Sequence, residues 1–542
     1  MESLAPDLSQ MRRTPLHDSH VEALRTVGRE IVFEEGEVVI RPGDPIDTFH
    51  YVLEGDLRLV DDSTLEPYLS IGLGPKQFTG EISFLQGGVQ RFTMRAFAMT
   101  RVLAVARDDL LRLMARIPEM SDIIMTVFAA RRRRQLEEGD SALTIVGARI
   151  DRRIAHIANF AERNKIPFRE LQVDTPEAEE LAKRCGTKAG PMVTFGKDQL
   201  LNEPTPSSLA RLLGLDRSAQ DGSRYELIIV GAGPAGVAAA VYAGAEGLKA
   251  LVIDELAVGG QAGTSSRIEN YLGFPTGISG SDLVWRGEIQ ALKFGTQFAV
   301  PRTVRSIEKG LGAFSLELGD GTGDRATVHG RAILIATGVQ YRRLPLDRLQ
   351  DFEGAGIYYA ATRSEGRVCE GRTVVIIGGG NSAGQAAMYL CRVAKHVHLV
   401  VRGVSLSQSM SDYLSTRLED EQGITIHFET EVSDLWGDDR LERVTIEHRD
   451  GRTQRLDDCA LFIMIGAAPN TGWLGDLVEL DDRGFVLTGT GAGKKSEFET
   501  STSGVYAVGD VRAGSVKRVA SAVGEGSVVI STIWKAVRLD DS

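Results

Sequence analysis

Two glycine-rich turns, each preceded by an apolar run and followed by a helix-forming segment, constrain the fold of this chain most. The first is Leu227-Ile-Ile-Val-Gly-Ala-Gly-Pro-Ala-Gly236, and the second is Val374-Val-Ile-Ile-Gly-Gly-Gly-Asn-Ser-Ala383. Glycine lets the N–H groups at a helix N-terminus approach a diphosphate closely. One such turn is a weak indication, because many tight strand–helix turns use glycine for steric reasons alone. Two turns in one chain predict two dinucleotides held side by side, and therefore electron transfer between them.

Length and composition narrow the class of protein. A chain of 542 residues is too long for one core and predicts several domains. The net charge of −12 argues against a nucleic-acid partner. No apolar run reaches the length of a membrane span, and residues 1–13 lack the apolar core of a signal peptide, so we expect a cytoplasmic protein without a membrane partner.

The four cysteines exclude several kinds of site. None of Cys185, Cys369, Cys391 and Cys459 forms a C-x-x-C pair. Neither a redox dithiol motif nor a zinc knuckle is therefore available, and we expect no metal. The interpretation we favour is four buried structural thiols, because an unbridged cysteine behaves as a small apolar residue.

Residues 1–138 alternate short β-patterned runs with glycine turns, as in an antiparallel β-barrel or jelly roll, and end in a helical stretch. The segment Phe78-Thr-Gly-Glu-Ile-Ser-Phe-Leu85, followed by Arg91, resembles the cyclic-nucleotide-binding domain of the catabolite-activator type. The resemblance implies that Glu81 accepts a hydrogen bond from the ribose 2′-OH of cyclic AMP or GMP. It also implies that Arg91 pairs with the cyclic phosphate, a role that suits its planar guanidinium. The residues that we assign to this ligand are Gly80, Glu81, Ile82, Ser83, Arg91 and Phe92.

Two features of this N-terminal part leave alternatives open. Phe92 stands where the family usually has a small residue, so the domain either binds a cyclic nucleotide or is a degenerate module that only regulates assembly. The block Arg131-Arg-Arg-Arg134 is interpreted as a solvated helix end. No helix-turn-helix follows it, which argues against transcriptional control.

Residues 139–217 read as strand, helix, strand, helix, strand and helix, and this order resembles the thioredoxin/glutaredoxin fold. Pro191 stands where that family has its cis-proline. The loop Gly147–Asp151, which carries C-x-x-C in the family, has no cysteine. We therefore expect a redox-silent domain that serves docking or scaffolding.

From Tyr225 onward the chain resembles the thioredoxin reductase family of flavoproteins. An acidic residue about 20 positions after the first turn is expected to bind the adenosine ribose, and Asp254 supplies it, with Glu255 in reserve. The resemblance places Gly259-Gly260-Gln261 along the flavin diphosphate and ring, and Asp510 against the ribityl or diphosphate group. Val519 replaces the family's glutamine. The predicted FAD residues are Gly231, Gly233, Pro234, Ala235, Gly236, Asp254, Glu255, Gly260, Gln261, Asn270, Gly338, Gly509, Asp510, Arg518, Val519 and Ala520.

The second turn is assigned to NADPH. Arg402 follows the next predicted strand, where a cofactor without a 2′-phosphate would prefer an acid, so the arginine favours NADPH over NADH. The family usually has a cluster of basic residues here, of which this chain keeps one. The predicted NADPH residues are Gly378, Gly380, Asn381, Ser382, Ala383 and Arg402.

The largest departure from the family lies between the two turns. Thioredoxin reductases carry Cys-Ala-Thr-Cys, which passes electrons from the flavin to a protein disulfide. The matching residues here are Ala360-Ala-Thr-Arg363. Neither Ala360 nor Arg363 forms a thiolate, so the family's disulfide exchange is unavailable by that route.

The sequence therefore predicts a multidomain α/β protein in which two Rossmann-like domains follow a cyclic-nucleotide-binding-like barrel and a thioredoxin-like domain. The cyclic-nucleotide-binding-like domain is predicted over residues 1–138 and the thioredoxin-like domain over 139–217. The FAD-binding domain is predicted over 222–341 and 469–542, and the NADPH-binding domain over 342–468. We expect an FAD-dependent NADPH oxidoreductase with an unidentified electron acceptor and, by resemblance, a homodimer. The alternatives are a non-catalytic sensor of redox state and second messenger, and a disulfide reductase that uses non-motif cysteines.

Overall fold

The arrangement of strands and helices follows from a computed structural model of the chain. It describes residues 14–60, 67, 72–80, 83–88, 90, 93–138, 143–147, 152–188, 190–195, 199–201, 204–213, 220–265, 268, 271–319, 325–353, 355–359, 361, 366, 369–407, 410–438 and 440–539.

Two three-stranded antiparallel sheets make up the N-terminal region, with strand orders β1-β6-β3 and β2-β5-β4. The predicted alternation of short strands, followed by a helical stretch, is present among the described residues. The elements are α1 (Asp18–Arg25), β1 (Arg29–Phe33), β2 (Val38–Ile40), β3 (Thr48–Glu54), β4 (Leu57–Val60), α2 (Ser83–Gln86), β5 (Thr93–Ala96), β6 (Thr100–Ala106), α3 (Arg107–Arg116) and α4 (Pro118–Glu138).

The interpretation of the arginine block near the end of α4 as a solvated helix end is wrong for Arg131 and Arg132. One Arg131 Nη donates to the carbonyls of Phe78 and Gly80, both at 2.8 Å, and its guanidinium lies over the Phe78 ring. Arg132 is buried and donates to the Lys165 carbonyl at 3.0 Å. Both side chains donate to backbone carbonyls of distant parts of the chain, a tertiary effect that charge patterning does not reveal.

The middle region is a four-stranded mixed sheet of order β10-β9-β7-β8, with β7 parallel to β8 and antiparallel to β9. The elements are β7 (Leu143–Val146), α5 (Arg152–Arg163), β8 (Arg169–Leu171), α6 (Pro176–Arg184), β9 (Met192–Phe195), β10 (Gln199–Leu201) and α7 (Pro206–Leu213). Among the described residues the one cis peptide bond is Val300–Pro301, so the bond before Pro191 lacks the cis form that the resemblance suggested.

A seven-stranded sheet of order β13-β12-β11-β16-β15-β14, with β27 also paired to β16, carries the first glycine turn. The strands β13, β12, β11, β16 and β27 run parallel, and β15 and β14 are antiparallel additions. The elements are β11 (Arg224–Val230), α8 (Pro234–Ala245), β12 (Ala250–Ile253), α9 (Gly280–Lys293), β13 (Gln297–Ala299), β14 (Thr303–Lys309), β15 (Phe314–Gly319), β16 (Arg325–Ile335), β27 (Val505–Ala507) and α13 (Val519–Leu539).

A five-stranded parallel sheet of order β18-β25-β19-β20-β21 carries the second turn, beside the antiparallel sheet β22-β23-β24. The strand β17 follows β16 of the seven-stranded sheet, and it pairs antiparallel with β26, which follows β25 of the five-stranded sheet. The elements are β17 (Val339–Tyr341), α10 (Leu349–Phe352), β18 (Ile357–Tyr358), β19 (Thr373–Ile377), α11 (Asn381–Leu390), β20 (His396–Val400), α12 (Asp412–Asp420), β21 (Ile424–His427), β22 (Thr430–Trp436), β23 (Arg443–His448), β24 (Thr453–Asp457), β25 (Cys459–Ile463) and β26 (Ala467–Pro469).

One hydrophobic core is shared by the N-terminal helices and the seven-stranded sheet. It includes Phe84, Leu110 and Ile124 from the first region, and Leu292 from α9, with Trp285 packed against it. Lys293 at the end of α9 also pairs with Asp122 at 3.6 Å. These two regions therefore pack as neighbours through apolar side chains. Across the described parts of the chain, no helix combines the length and apolar character needed to cross a membrane.

Candidate active site

The first glycine turn joins β11 to α8, at the carboxyl end of a parallel strand. Gly231 has φ +105°, and a Cβ there would lie 2.3 Å from the Ala336 carbonyl oxygen. A Cβ on Gly236 would lie 1.9 Å from the Gly231 carbonyl oxygen. Gly233 is different, because a Cβ there meets no atom within 4 Å, and it is the N-cap of α8 with Pro234 next. Two glycines are thus required for packing, and the third leaves open space at a helix N-terminus, a kind of position that binds anions.

Asp254 follows β12 and binds the glycine turn itself. Its carboxylate accepts from the N–H groups of Ala232 (2.8 Å), Leu256 (3.0 Å) and Ala257 (3.2 Å). Burial raises the pKa of Asp254, and these three donors oppose the rise. The sequence predicted a ribose contact for Asp254 but not this structural role, and the ribose contact stays a prediction. The reserve residue Glu255 is exposed beside it.

The segment at Gly260 and Gln261 lies against the first turn. A Cβ on Gly260, which has φ +54°, would lie 3.0 Å from the Gly233 Cα. The Gln261 Nε2 donates to the Val339 carbonyl at 2.5 Å, which ties this segment to the strand after Gly338. Predicted FAD residues far apart in sequence are therefore brought together here.

The C-terminal part of the predicted FAD site contains a carboxylate that the sequence analysis missed. Glu525 of α13 accepts from the Gly509 N–H at 2.7 Å and pairs with Arg512 at 2.7 Å. Burial raises the pKa of Asp510; Lys517 opposes that rise and Glu525 adds to it. Glu525 is the one acidic residue of α13, a pattern that could have identified it. Arg518, Val519 and Ala520 lie at the start of α13, where Arg518 and Ala520 are exposed and Val519 is half-buried.

The middle region also reaches this site, which no motif indicated. At the end of α5, an Arg163 Nη donates to the Gly260 carbonyl at 3.3 Å. Asn164 Nδ2 donates to the Leu256 carbonyl at 3.0 Å, and the Leu256 side chain packs against the core of the middle sheet.

The second turn joins β19 to α11 in a similar way. A Cβ on Gly378, which has φ +144°, would lie 2.4 Å from the Met464 carbonyl oxygen. Gly380 is the N-cap of α11. Asn381, the first helical residue, accepts the Ser411 N–H on its Oδ1 at 2.9 Å, so its side chain fastens the loop after β20.

The other predicted NADPH residues differ in exposure. Ala383 is buried, whereas Ser382 and Arg402 are exposed. Arg402 follows β20, and the nearby hydroxyls of Ser405 and Ser407 are 3.1 Å apart. An exposed arginine with two serine hydroxyls close by in sequence can form hydrogen bonds to the 2′-phosphate of NADPH.

Several predicted site residues lie outside the described residues. These are Asn270 of the FAD set, Ala360 and Arg363 at the missing cysteine positions, and Glu81, Ile82, Arg91 and Phe92 of the cyclic-nucleotide set. Of the remaining cyclic-nucleotide residues, Ser83 begins α2. Gly80 has φ +111°, and a Cβ there would lie 2.5 Å from the Phe128 ring of α4.

The four cysteines, all within described positions, form no disulfide. Cys369 and Cys459 are buried, and burial raises the pKa of Cys459 to about 12. Burial also raises the pKa of Cys391. These shifts keep the Cys391 and Cys459 thiols protonated, and such thiols are poor nucleophiles.

One cluster of metal-ligand types occurs in the described parts of the chain: His17, His20 and Glu119, with ligand atoms within 4.8 Å of one another. The His20 Nδ1 accepts the His17 backbone N–H at 3.4 Å, and the His20 backbone N–H donates to the His17 carbonyl at 2.9 Å.

The comparisons with known proteins cover mainly the C-terminal part. The family described as pyridine nucleotide-disulphide oxidoreductase matches residues 225–526, and the cyclic nucleotide-binding domain matches residues 30–117. A thioredoxin reductase of Treponema pallidum is 33% identical over 305 residues, which are 56% of this chain and 94% of the relative. An NADPH-dependent thioredoxin reductase 3 of Arabidopsis thaliana is 32% identical over 61% of this chain and 64% of its own length, so the chain spans under two thirds of that relative.

Solved structures of similar proteins cover the same part. The thioredoxin reductase of T. acidophilum is 30% identical, with a TM-score of 0.48, over 58% of this chain and 98% of that protein. That of Lactococcus lactis is 27% identical, with a TM-score of 0.48, over 58% and 99%.

Proposed function

The chain belongs to the pyridine nucleotide-disulphide oxidoreductase family, and from that premise we propose that it oxidises NADPH through bound FAD and passes the electrons to an acceptor other than its own disulfide. It is an oxidoreductase of thioredoxin reductase type, and thioredoxin reductases use FAD and NADPH. The observation that carries the proposal is the pair of glycine turns, each at the carboxyl end of a parallel strand and each opening a helix.

The residues of the first site fit FAD. The open space at Gly233 lets the first N–H groups of α8 face the diphosphate, and Gly260 packs beside it. Asp254 holds the turn in shape through the Ala232 N–H, and Glu525 holds the turn at Gly509. When bound, FAD and NADPH supply hydride-transfer chemistry, for which the protein contributes binding and orientation without an obligatory acid or base.

The electron acceptor differs from that of the family in our proposal, because Ala360 and Arg363 replace the two cysteines. The raised pKa of Cys459 and of Cys391 supports this, since neither thiol readily becomes a nucleophile. The acceptor is then a small redox protein, a quinone-like molecule or oxygen. A protein-disulfide reductase using the four remaining cysteines is the least favoured candidate.

Anaerobic titration with NADPH tests the reductase function. We expect bleaching of the flavin absorbance within the time of one turnover, followed by reoxidation with a quinone. A flavin that stays oxidised in excess NADPH would contradict a reductase and favour a sensor. A variant with all four cysteines replaced by alanine should keep its NADPH–quinone activity, whereas its loss would favour the disulfide reductase.

A second candidate function is regulation by a cyclic nucleotide. It is favoured by one contact, because Arg131 of α4 donates to the carbonyl of Gly80, next to the predicted ligand residue Glu81. A ligand that moves this segment would act directly on α4. We expect cyclic AMP or GMP to change the rate of flavin reduction, and Arg91→Ala to remove the effect.

The matched control is Arg112→Ala, which changes an exposed arginine of α3 that pairs only with Asp109 among the described residues. This variant should respond as the unmodified protein does. A rate that neither nucleotide changes, with no binding by calorimetry, would leave the domain as a degenerate assembly module.

The middle region is proposed to be a thioredoxin-like domain that serves docking, since its sheet has a parallel β-α-β unit and its loop 147–151 lacks cysteine. We also propose a cytoplasmic homodimer. Light scattering of the purified protein would give the oligomeric state.

A further inference from the structure

The middle region lies directly on the loop between Asp254 and Gln261. Two adjacent residues at the end of α5 donate to carbonyls of this loop: Arg163 to Gly260, and Asn164 to Leu256. The Leu256 side chain packs into the core of the middle sheet. The loop is therefore held between the middle region and the first glycine turn.

Arg163 has hydrogen-bonding capacity left at this position. Within the described residues, the Gly260 carbonyl is its one hydrogen-bond acceptor, although a guanidinium has five N–H donors. Asp254, whose charge acts on Arg163, already accepts three backbone N–H groups and forms no ion pair with Arg163 among the described residues. A half-buried cation with unused donors thus stands beside the turn.

The contact with Gly260 places Arg163 near the first glycine turn, where the diphosphate is proposed to bind. A Cβ on Gly260 would lie 3.0 Å from the Gly233 Cα, and Gly233 opens onto the space at the N-terminus of α8. Arg163 contacts the carbonyl of the same Gly260. An anion that approaches the α8 N-terminus therefore comes close to a positive charge from another part of the chain.

We infer that Arg163 is an FAD-binding residue: the middle region supplies a cation to the diphosphate of the cofactor. The inference rests on the proposed FAD binding. The part of the chain that matches the oxidoreductase family begins at residue 225, so Arg163 is an addition from outside that family region. The middle region then has a role at the flavin site although it lacks redox cysteines.

The dissociation constant of FAD for the full-length apoprotein, measured by quenching of flavin fluorescence, tests this. We expect Arg163→Gln to raise the constant by about 10- to 100-fold, because hydrogen bonds to charged groups are the strong ones. Arg163→Lys should recover part of the loss, since it keeps the charge. Added NaCl should weaken binding more in the unmodified protein than in Arg163→Gln.

Two controls separate charge from docking. Asn164→Ala removes the contact to Leu256 without changing the charge, and it should raise the constant by less than about 3-fold. Arg169→Gln changes an exposed arginine of the same region that pairs with Glu177, and it should have no effect. Circular dichroism and apoprotein melting temperatures show that each variant is folded.

The outcomes distinguish the inference from the proposed function. If the unmodified protein does not bind FAD, the proposed function fails. If it binds FAD and Arg163→Gln binds equally well, only the inference fails. Equal losses in Arg163→Gln and Asn164→Ala, with no recovery in Arg163→Lys, would make Arg163 a docking residue and overturn the inference.

Discussion

The two glycine turns share a backbone design but differ in their surroundings. The first is covered by other parts of the chain: the loop at Gly260, the helix α13 through Gly526, and Arg163 from the middle region. The second has an exposed first helical turn at Asn381 and Ser382, and the cation that follows it, Arg402, is exposed. A covered site suits a cofactor that stays bound through many turnovers, and an open site suits one that exchanges in each turnover. The surroundings therefore agree with FAD at the first turn and NADPH at the second.

Alanine substitutions at two glycines of the first turn distinguish a packing role from a cofactor-binding role, and Gly231→Ala has the largest expected effect. Gly231→Ala combines a left-handed φ with a Cβ 2.3 Å from a backbone carbonyl oxygen, so we expect a loss of at least about 3 kcal/mol of unfolding free energy. Urea denaturation of the apoprotein measures this loss.

Gly233→Ala is the matched variant, because its Cβ enters open space. It should leave the apoprotein stability unchanged and weaken FAD binding by about 10-fold, since the methyl group occupies the approach of the diphosphate. If FAD binds Gly233→Ala as tightly as the unmodified protein, the diphosphate does not lie at this turn.

Glu525→Gln tests whether the packing of α13 at the first site depends on the Glu525 carboxylate. The change leaves Arg512 without its ion-pair partner and weakens the bond from the Gly509 N–H, so we expect a loss of about 2–3 kcal/mol of stability and a lower FAD content. Denaturation and the ratio of flavin to protein absorbance measure these. Glu308→Gln, on exposed β14, is the control and should change neither quantity.

Arg402→Ala tests the cofactor identity at the second, open turn. Losing the contact to the 2′-phosphate should raise KM for NADPH about 10-fold, or about 1.4 kcal/mol, and leave KM for NADH unchanged. Steady-state kinetics with both cofactors measure this preference. Arg392→Ala removes another exposed arginine near α11 and should affect neither KM. Equal increases for NADPH and NADH in Arg402→Ala would argue against a 2′-phosphate contact.

A further expected effect is on the pH dependence of stability, where His398 and Asp254 act with opposite sign. Burial and the neighbouring His427 lower the pKa of His398 in β20 from 6.5 to about 4. Between these values the unfolded chain binds more protons, so the free energy of unfolding falls as the pH drops through this window, by about 1–2 kcal/mol for a half-buried group.

Asp254 beside the first turn has a raised pKa, so its protonation in acid favours the folded state instead. Thermal melts from pH 7 to 4.5 should therefore show a fall in melting temperature that His398→Gln reduces. An identical fall in the variant would exclude His398 as its source.

Sequence patterns predicted the site residues that lie next to their motifs, and they missed contacts between residues that are far apart in the chain. The glycines, Asp254 and Arg402 follow their strands directly, so local pattern was sufficient to name them. Arg131, Arg132 and Arg163 donate to carbonyls that lie 33 to 97 residues away in the chain, and no local pattern encodes such contacts. The cofactor contact of Asn381 stays a prediction, and its side-chain oxygen accepts the Ser411 N–H across 30 residues of chain, which no local pattern indicated.

The core shared by the N-terminal helices and α9 bears on how this protein can be divided. A fragment that begins at Tyr225 would lack the N-terminal members of this core, such as Phe84, Leu110 and Ile124, and would expose apolar side chains that pack with them. Such a fragment is expected to aggregate on expression, although relatives of about that length exist as whole proteins. The same shared core predicts that the two regions unfold cooperatively, in one calorimetric transition.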